Sequence, residues 1–263
     1  MSIDSAAETP GALIAYGRRG AAAVVLKVCK RMGDEWHSGD VLRAFGDRGV
    51  VRVLERAEGA LLLERLTPGC SLVEMVQRGD DDAATEILAG VVQAMSPGEA
   101  PRRASTVEDW GRGFDRYLAT GDRRIPRPLV ETARRTYAEL ARSQTSRRLL
   151  HGDLQHSNVL FDQRRGWVAI DPKGVVGEAE YELGAALRNP REAPALFTDP
   201  AVIERRVRRF VASLGVDRTR VVGWAFSQAV LSVIWDVEDG VPVDASHPCL
   251  ALAGVLRAML PVR

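Results

Sequence analysis

The stretch Leu150-His-Gly-Asp153-Leu-Gln-His-Ser-Asn158-Val-Leu-Phe-Asp162-Gln-Arg-Arg-Gly166-Trp-Val-Ala-Ile-Asp171-Pro-Lys173-Gly174 decides the reading of this chain. Its apolar residues predict two strands, 158–162 and 167–171, joined by a four-residue turn at 163–166. In that register 162 faces 167, 160 faces 169 and 158 faces 171. Val159, Phe161, Val168 and Ile170 then share an apolar face, and a buried face is what fixes register. At the open end Asn158 and Asp171 stand opposite, with Cβ atoms about 5 Å apart. An amide oxygen and a carboxylate are hard ligands suited to a magnesium ion that takes its other oxygens from water and phosphate. Asp153, in a glycine-flanked loop five residues before Asn158, is placed to act as a base at the same point. A bland alternative exists, a loop aspartate capping a turn beside an ordinary hairpin. Chance produces His-x-Asp-x4-Asn roughly once in several hundred chains of this composition, and one of only two asparagines and one of only three lysines fall in this window.

Outward from this centre the pattern divides. On the N-terminal side, 11–16 and 22–28 read as strands around Gly17-Arg-Arg-Gly20, and 34–45 as a helix opened by Asp34. Residues 50–54 and 60–66 read as further strands around Glu58-Gly59, and Thr67-Pro68-Gly69 breaks the pattern. Beyond it helices dominate: 71–77, 82–95, 106–119, 128–142, 199–214, 218–237 and 247–261. Asp199-Pro200 is a strong start signal, a capping side chain followed by proline in the first turn. The expectation is an α+β chain with a β-rich lobe over 1–67 and a mainly helical lobe over 68–263.

Composition narrows the function. Lys+Arg is 36 and Asp+Glu 35, a net charge of +1, which lacks the basic footprint of a nucleic-acid binder. The apolar runs are shorter than the roughly 18 residues that span a bilayer, and Met1-Ser2-Ile3-Asp4 lacks a basic-then-apolar signal pattern. Cys29, Cys70 and Cys249 are odd in number and scattered, as expected of reduced thiols in a cytoplasm. Only Lys27, Lys30 and Lys173 are lysine against 33 arginines. Each therefore marks a place where a compact ammonium is wanted in preference to a planar fork. No pair of histidines has zinc spacing.

His151-Gly-Asp-Leu-Gln-His-Ser-Asn158 has the spacing of a kinase catalytic loop, followed by a metal-binding aspartate. It resembles the signature of aminoglycoside phosphotransferases. Trp167-Val-Ala-Ile-Asp-Pro-Lys-Gly174, with Gly177-Glu178 and Leu187-Arg-Asn-Pro190, is similar to the streptomycin 6-kinase and hydroxyurea phosphotransferase branch of that family. The resemblance runs from about residue 24 to the C-terminus and is densest over 149–190. It implies a two-lobed, protein-kinase-like fold and ATP-dependent O-phosphorylation of a small antibiotic. Asp153 would be the base, with Asn158 and Asp171 on magnesium. The acceptor would be a streptomycin-like cationic aminoglycoside; hydroxyurea, another small metabolite and a catalytically inactive binding module are the alternatives.

Within that frame, Lys27 has the context of the strand lysine that contacts nucleotide phosphates, with Lys30 as competitor. Its partner is expected on the next helix, Glu35 in preference to Asp34 or Asp40. Glu64-Arg65-Leu66 would be the hinge whose backbone reads adenine. His151 is expected to orient the loop, and Lys173 to neutralise phosphate charge or pair with a carboxylate. Only about ten residues precede Gly11, so the first strand of such a lobe is expected to be missing or shortened; Gly17–Gly20 reads as a hairpin turn and only weakly as a phosphate loop. Streptomycin-like acceptors carry two guanidinium groups on the phosphorylated ring, according to the resemblance, and carboxylates hold these best. Glu178, Glu182, Asp236, Glu238 and Asp239 are the expected acceptor ligands. The last three end a helix, where acids oppose the macrodipole.

Overall fold

The alternation around Gly17–Gly20 builds the expected hairpin, and further strands extend it into a five-stranded antiparallel sheet in the computed structural model, which describes residues 2–261 and, of Asp34, only the backbone. The strands are β1 (Ser2–Glu8), β2 (Ala12–Arg19), β3 (Ala22–Cys29), β4 (Val53–Ala57) and β5 (Ala60–Glu64), in the order β1-β2-β3-β5-β4. β1 corrects the expectation of a missing first strand: it pairs with β2 from Ser2↔Arg18 to Glu8↔Leu13. All seven of its residues are exposed, so it carries no alternation to betray it. The helix expected over 34–45 is split into a 3-10 turn, Asp34–His37, and α1 (Ser38–Phe45). α1 packs tightly on the sheet at Gly39, where a Cβ would fall 2.5 Å from the Leu61 side chain. The strand expected from residue 50 starts at Val53, because the chain around Val50 instead bridges Ala169 of the central hairpin: the Val51 N–H donates to the Ala169 carbonyl and the Ala169 N–H to the Gly49 carbonyl.

Beyond Glu64 the chain enters β6 (Pro68–Ser71), which was expected as a plain break. It continues through α2 (Leu72–Gln77), α3 (Asp81–Ala94), β7 (Ser105–Thr106), α4 (Val107–Thr120), α5 (Arg127–Arg142), β8 (Arg148–Leu150), β9 (Val159–Asp162), β10 (Gly166–Ala169) and β11 (Val175–Gly177). It closes with α6 (Ala179–Leu187), α7 (Pro194–Thr198), α8 (Pro200–Leu214), α9 (Arg218–Glu238) and α10 (Pro248–Met259). The start signals act as read: Asp199 accepts from the N–H groups of Ala201 and Val202 at 2.7 and 3.3 Å, satisfying donors that a helix start leaves free. α9 is buried on nearly every face from Val221 to Ile234, the mark of a helix running through a core. α5, α6 and α10 pack against it. Trp224, Tyr137 and Tyr181 meet there edge-on, with centroids 4.9–6.0 Å apart, as ring quadrupoles prefer.

The central hairpin forms, one residue out of the expected register. The pairs are Asp162↔Gly166, Phe161↔Trp167, Leu160↔Val168 and Val159↔Ala169. Gly166 adopts φ +72, so the turn is the three residues 163–165 followed by a left-handed glycine already in the ladder. Asp162 pins this turn by accepting from the N–H groups of Arg164 and Arg165 at 2.9 and 3.0 Å. Asn158 consequently faces Ile170, whose N–H donates to its carbonyl at 2.9 Å, and Asp171 lies one position further on.

Candidate active site

β8 and β11 are paired, and the loop that follows β8 carries His151, Gly152 and Asp153. Gly152 turns it with φ +80, where a Cβ would press on Trp110 and Val175. His151 is fully buried and acts as the clasp expected of it. Its Nε2 lies 2.8 Å from the Ile170 carbonyl, which must accept, so the proton sits on Nε2 and Nδ1 is left to accept from the Asp153 N–H at 3.3 Å. Its carbonyl receives the N–H groups of Lys173 and Gly174, both at 3.0 Å. One histidine thus locks the 151–153 loop to the 170–174 segment.

Asn158 closes the other end of the loop by donating from Nδ2 to the Asp153 carbonyl at 2.8 Å. Because a carbonyl only accepts, this bond sets the amide orientation, with Nδ2 toward that carbonyl and Oδ1 on the other side. Asp171 sits at φ +57, a left-handed non-glycine residue at the end of the strand. Its carboxylate lies 2.8 Å from Nζ of Lys27, which also pairs with Glu35 at 2.6 Å. Lys27 is 3% exposed. Burial alone would lower its pKa, but Asp171 and Glu35 outweigh that and hold the ammonium above its usual value. The competitor Lys30 pairs instead with Glu8 and the Thr9 carbonyl at the β1–β2 turn. Asp40 pairs with Arg56, and the Asp34 side chain lies outside the described residues.

Among the described residues no three His, Cys, Asp or Glu side chains converge to hold a metal by themselves. The candidate oxygen donors are the Asn158 amide and the Asp171 carboxylate, beside Lys27. A hard-oxygen pair of this kind fits magnesium, which keeps water and phosphate oxygens in its remaining positions. The Glu64 carboxylate accepts from the Arg52 N–H at 2.9 Å and pairs with Arg165. Leu66 is buried in the link between the lobes.

The expected acceptor acids part company. Glu182 is buried beneath the loop and accepts from the N–H groups of His151 and Gly152 at 2.6 and 2.9 Å. Burial raises its pKa, against the pull of those two N–H groups. It supports the loop from below and does not line a cleft. Glu178 is also buried, bound by Arg220 and Trp224 on α9. Glu238 pairs with Arg116 on α4 at 3.2 Å. Asp236 and Asp239 do share a cavity of about 240 Å³ with Asp153, Lys173, Arg188 and Arg191. Asp236 is partly answered there by Arg191 at 3.5 Å and His247 at 3.3 Å. A larger cavity of about 610 Å³ lies under α1, bordered by Arg43, Arg102 and Arg103. It shares Lys173 with the first cavity but not Asp153, so the smaller one is where an acceptor can meet the loop.

Lys173 lies 3.8 Å from Oδ2 of Asp153 and its ammonium sits 5.8 Å over the Trp235 ring. Arg188, which sequence reasoning missed, lies 3.6 Å from Oδ1. Burial pushes the Asp153 carboxyl up; the positive charges of Lys173, Arg188 and Arg191 outweigh it and hold it below the usual carboxylate range. Asp153 is therefore ionised at neutral pH.

The profile of a family described as aminoglycoside/hydroxyurea antibiotic resistance kinases matches residues 6–240. Streptomycin 6-kinase of Streptomyces glaucescens is 32% identical over 210 residues, 76% of this chain and 66% of that protein. Hydroxyurea phosphotransferase of Kitasatospora aureofaciens is 34% identical over 219 residues, 79% of this chain and 61% of that protein. The matches thus span slightly under two-thirds of the length of those two relatives. Streptomycin 3''-kinase of Klebsiella pneumoniae is 31% identical over 231 residues, 85% of this chain and 83% of that protein. Among solved structures, aminoglycoside phosphotransferase APH(4)-Ia in a ternary complex with AMP-PNP and hygromycin B superposes with a TM-score of 0.69 at 17% identity, over 99% of this chain and 96% of that one. Choline kinase LicA from Streptococcus pneumoniae gives 0.60 at 15%, over 98% and 94%. The structural matches show a two-lobed, protein-kinase-like fold, and the sequence matches carry the rest: this chain belongs to the aminoglycoside/hydroxyurea antibiotic resistance kinase family.

Proposed function

We propose that the chain transfers the γ-phosphoryl group of ATP to a hydroxyl of a streptomycin-like aminoglycoside. The observation that carries this reading is the placement of Asp153: its carboxylate shares one cavity with Asp236 and Asp239, while the Asp153 carbonyl is tied to Asn158 beside the Lys27–Asp171 pair. Lys27 would hold the nucleotide phosphates, and Asn158 and Asp171 would hold magnesium. Magnesium, when bound, supplies positive charge to the phosphate oxygens. Asp153 orients the acceptor hydroxyl and takes its proton, so catalysis is mainly positioning and charge neutralisation. Asp236 and Asp239 would meet guanidinium groups of the acceptor.

A second reading, hydroxyurea as acceptor, is favoured by the cavity's modest 240 Å³ and by the hydroxyurea phosphotransferase relative at 34% identity. An inactive binding module fits less well, because β1 is present and the loop, both oxygen donors and the Lys27–Glu35 pair are intact. Protein mixed with Mg-ATP and a panel of acceptors, followed by acceptor-dependent ADP release, separates the three. Streptomycin should support release, and Asp153→Asn should cut turnover by about two to four orders of magnitude with the fold intact. More than a tenth of parent turnover in that variant would remove Asp153 from the role, and release with no acceptor dependence would sink the reading.

A further inference from the structure

Arg188 caps α6 with only 8% of its side chain exposed, a place where a guanidinium must be answered by partners. Its Nη1 donates to Oε1 of Gln228 at 3.0 Å. Gln228 is buried on α9, and its Nε2 donates to the Tyr181 carbonyl at 2.6 Å. That bond sets the amide so that Oε1 faces Arg188. Gly184 leaves the room required, since a Cβ there would fall 2.5 Å from the Gln228 side chain. Two helices therefore locate the guanidinium. Lys173, on the other side of Asp153, is 28% exposed and leans on one aromatic ring. One cation is fixed and the other is adjustable.

Both stand beyond hydrogen-bond length from Asp153, at 3.6 and 3.8 Å. Each carboxylate oxygen feels a positive charge yet stays open to a third partner, the acceptor hydroxyl. The groups facing Asp153 are Lys173 after β10, Arg188 and Arg191 after α6, His151 on its own loop, and Glu192, Asp236 and Asp239 across the cavity.

We infer that Arg188 is a positioning residue for phosphoryl transfer, fixed by Gln228 so as to align the Asp153 carboxylate with the acceptor hydroxyl. The inference rests on Asp153 being the proton acceptor. The group so aligned is Asp153. It orients the hydroxyl and takes the proton as the acceptor oxygen bonds to the γ-phosphorus; the bond from that phosphorus to the bridging oxygen breaks, and ADP leaves with the electron pair. Late proton transfer of this kind suits a loose transition state.

The test is Arg188→Ala, assayed for ADP release with streptomycin, or with hydroxyurea if the panel favours it, with or without added guanidinium. Turnover should fall about ten- to a hundredfold, with KM for ATP nearly unchanged. Guanidinium should restore part of the turnover. Gln228→Met, which leaves the cation but removes its anchor, should give a smaller loss that guanidinium does not relieve. Unchanged turnover in Arg188→Ala, or a loss that guanidinium does not rescue, overturns the inference. Asp153→Asn run alongside separates the two levels: if it stays active both fall, and if it loses turnover while Arg188→Ala does not, only the inference on Arg188 falls.

Discussion

His156 is completely buried next to the 151–153 loop, and neither ring nitrogen has a hydrogen-bond partner among the described residues. Burial, with Arg206 nearby, holds its pKa down from the ordinary 6.5 to about 3. The unfolded chain therefore binds one more proton than the native one between those values. Stability is fully present above about pH 6.5 and declines as pH falls toward 3, by about 1.4 kcal/mol per pH unit. His156→Leu, close in volume, should keep most of the stability at pH 7 and flatten the decline between pH 6.5 and 4 by about 3 kcal/mol in denaturant titrations. An identical pH profile in the variant would show that other groups carry the acid sensitivity. The positions of His151, Asp153, Asn158, Asp171, Lys27 and Glu35 were legible from spacing and from the rarity of lysine and asparagine. Arg188 was not, because it is one of 33 arginines. Glu178 and Glu182 are buried, away from the cavity that holds Asp153, and closeness along the chain does not say which side chains face the core.

Between elements, Asp162 joins the end of β9 to the link between the lobes. Beyond its two bonds in the hairpin turn, it accepts from the Thr67 N–H at 2.9 Å, and these backbone donors overcome burial to lower its pKa. Asp162→Ala strands three N–H groups at once and should cost about 2–4 kcal/mol in thermal or chemical unfolding. Asp162→Asn, which keeps one accepting oxygen, should cost less. A loss under about 0.5 kcal/mol in the alanine variant would mean that water replaces the carboxylate at no penalty. The hairpin itself shows where periodicity stops being informative. Alternation located both strands, but the register depended on the left-handed glycine at 166, which shortened the turn by one residue and moved Asn158 opposite Ile170. β1 escaped for the opposite reason, having no buried face at all. The long helices were legible because caps such as Asp199-Pro200 and apolar periodicity agreed.

Across the whole molecule, a net charge of +1 gives no general attraction for a cationic acceptor, so any steering must come from the cavity. Its cations gather around Asp153, and its carboxylates Asp236 and Asp239 lie on the α9 side. Asp236→Asn combined with Asp239→Asn should raise KM for streptomycin about tenfold while leaving KM for ATP and any use of hydroxyurea almost unchanged, and added salt should mimic the effect. Glu238→Gln, whose parent carboxylate is taken by Arg116, is the matched control. Equal streptomycin kinetics in the double variant and the control would detach these carboxylates from acceptor binding.

The Lys27 amine stands between a carboxylate of the sheet-bearing lobe and one of the helical lobe, at 2.6 and 2.8 Å. An amine held protonated in that vice is a poor nucleophile, and it becomes reactive only when the two lobes draw apart and release it. With just three lysines in the chain, the label at each can be located by peptide fragmentation. The rate at which an amine-directed label reaches Lys27, measured against exposed Lys30 as an internal clock, is therefore a direct gauge of how often the cleft breathes.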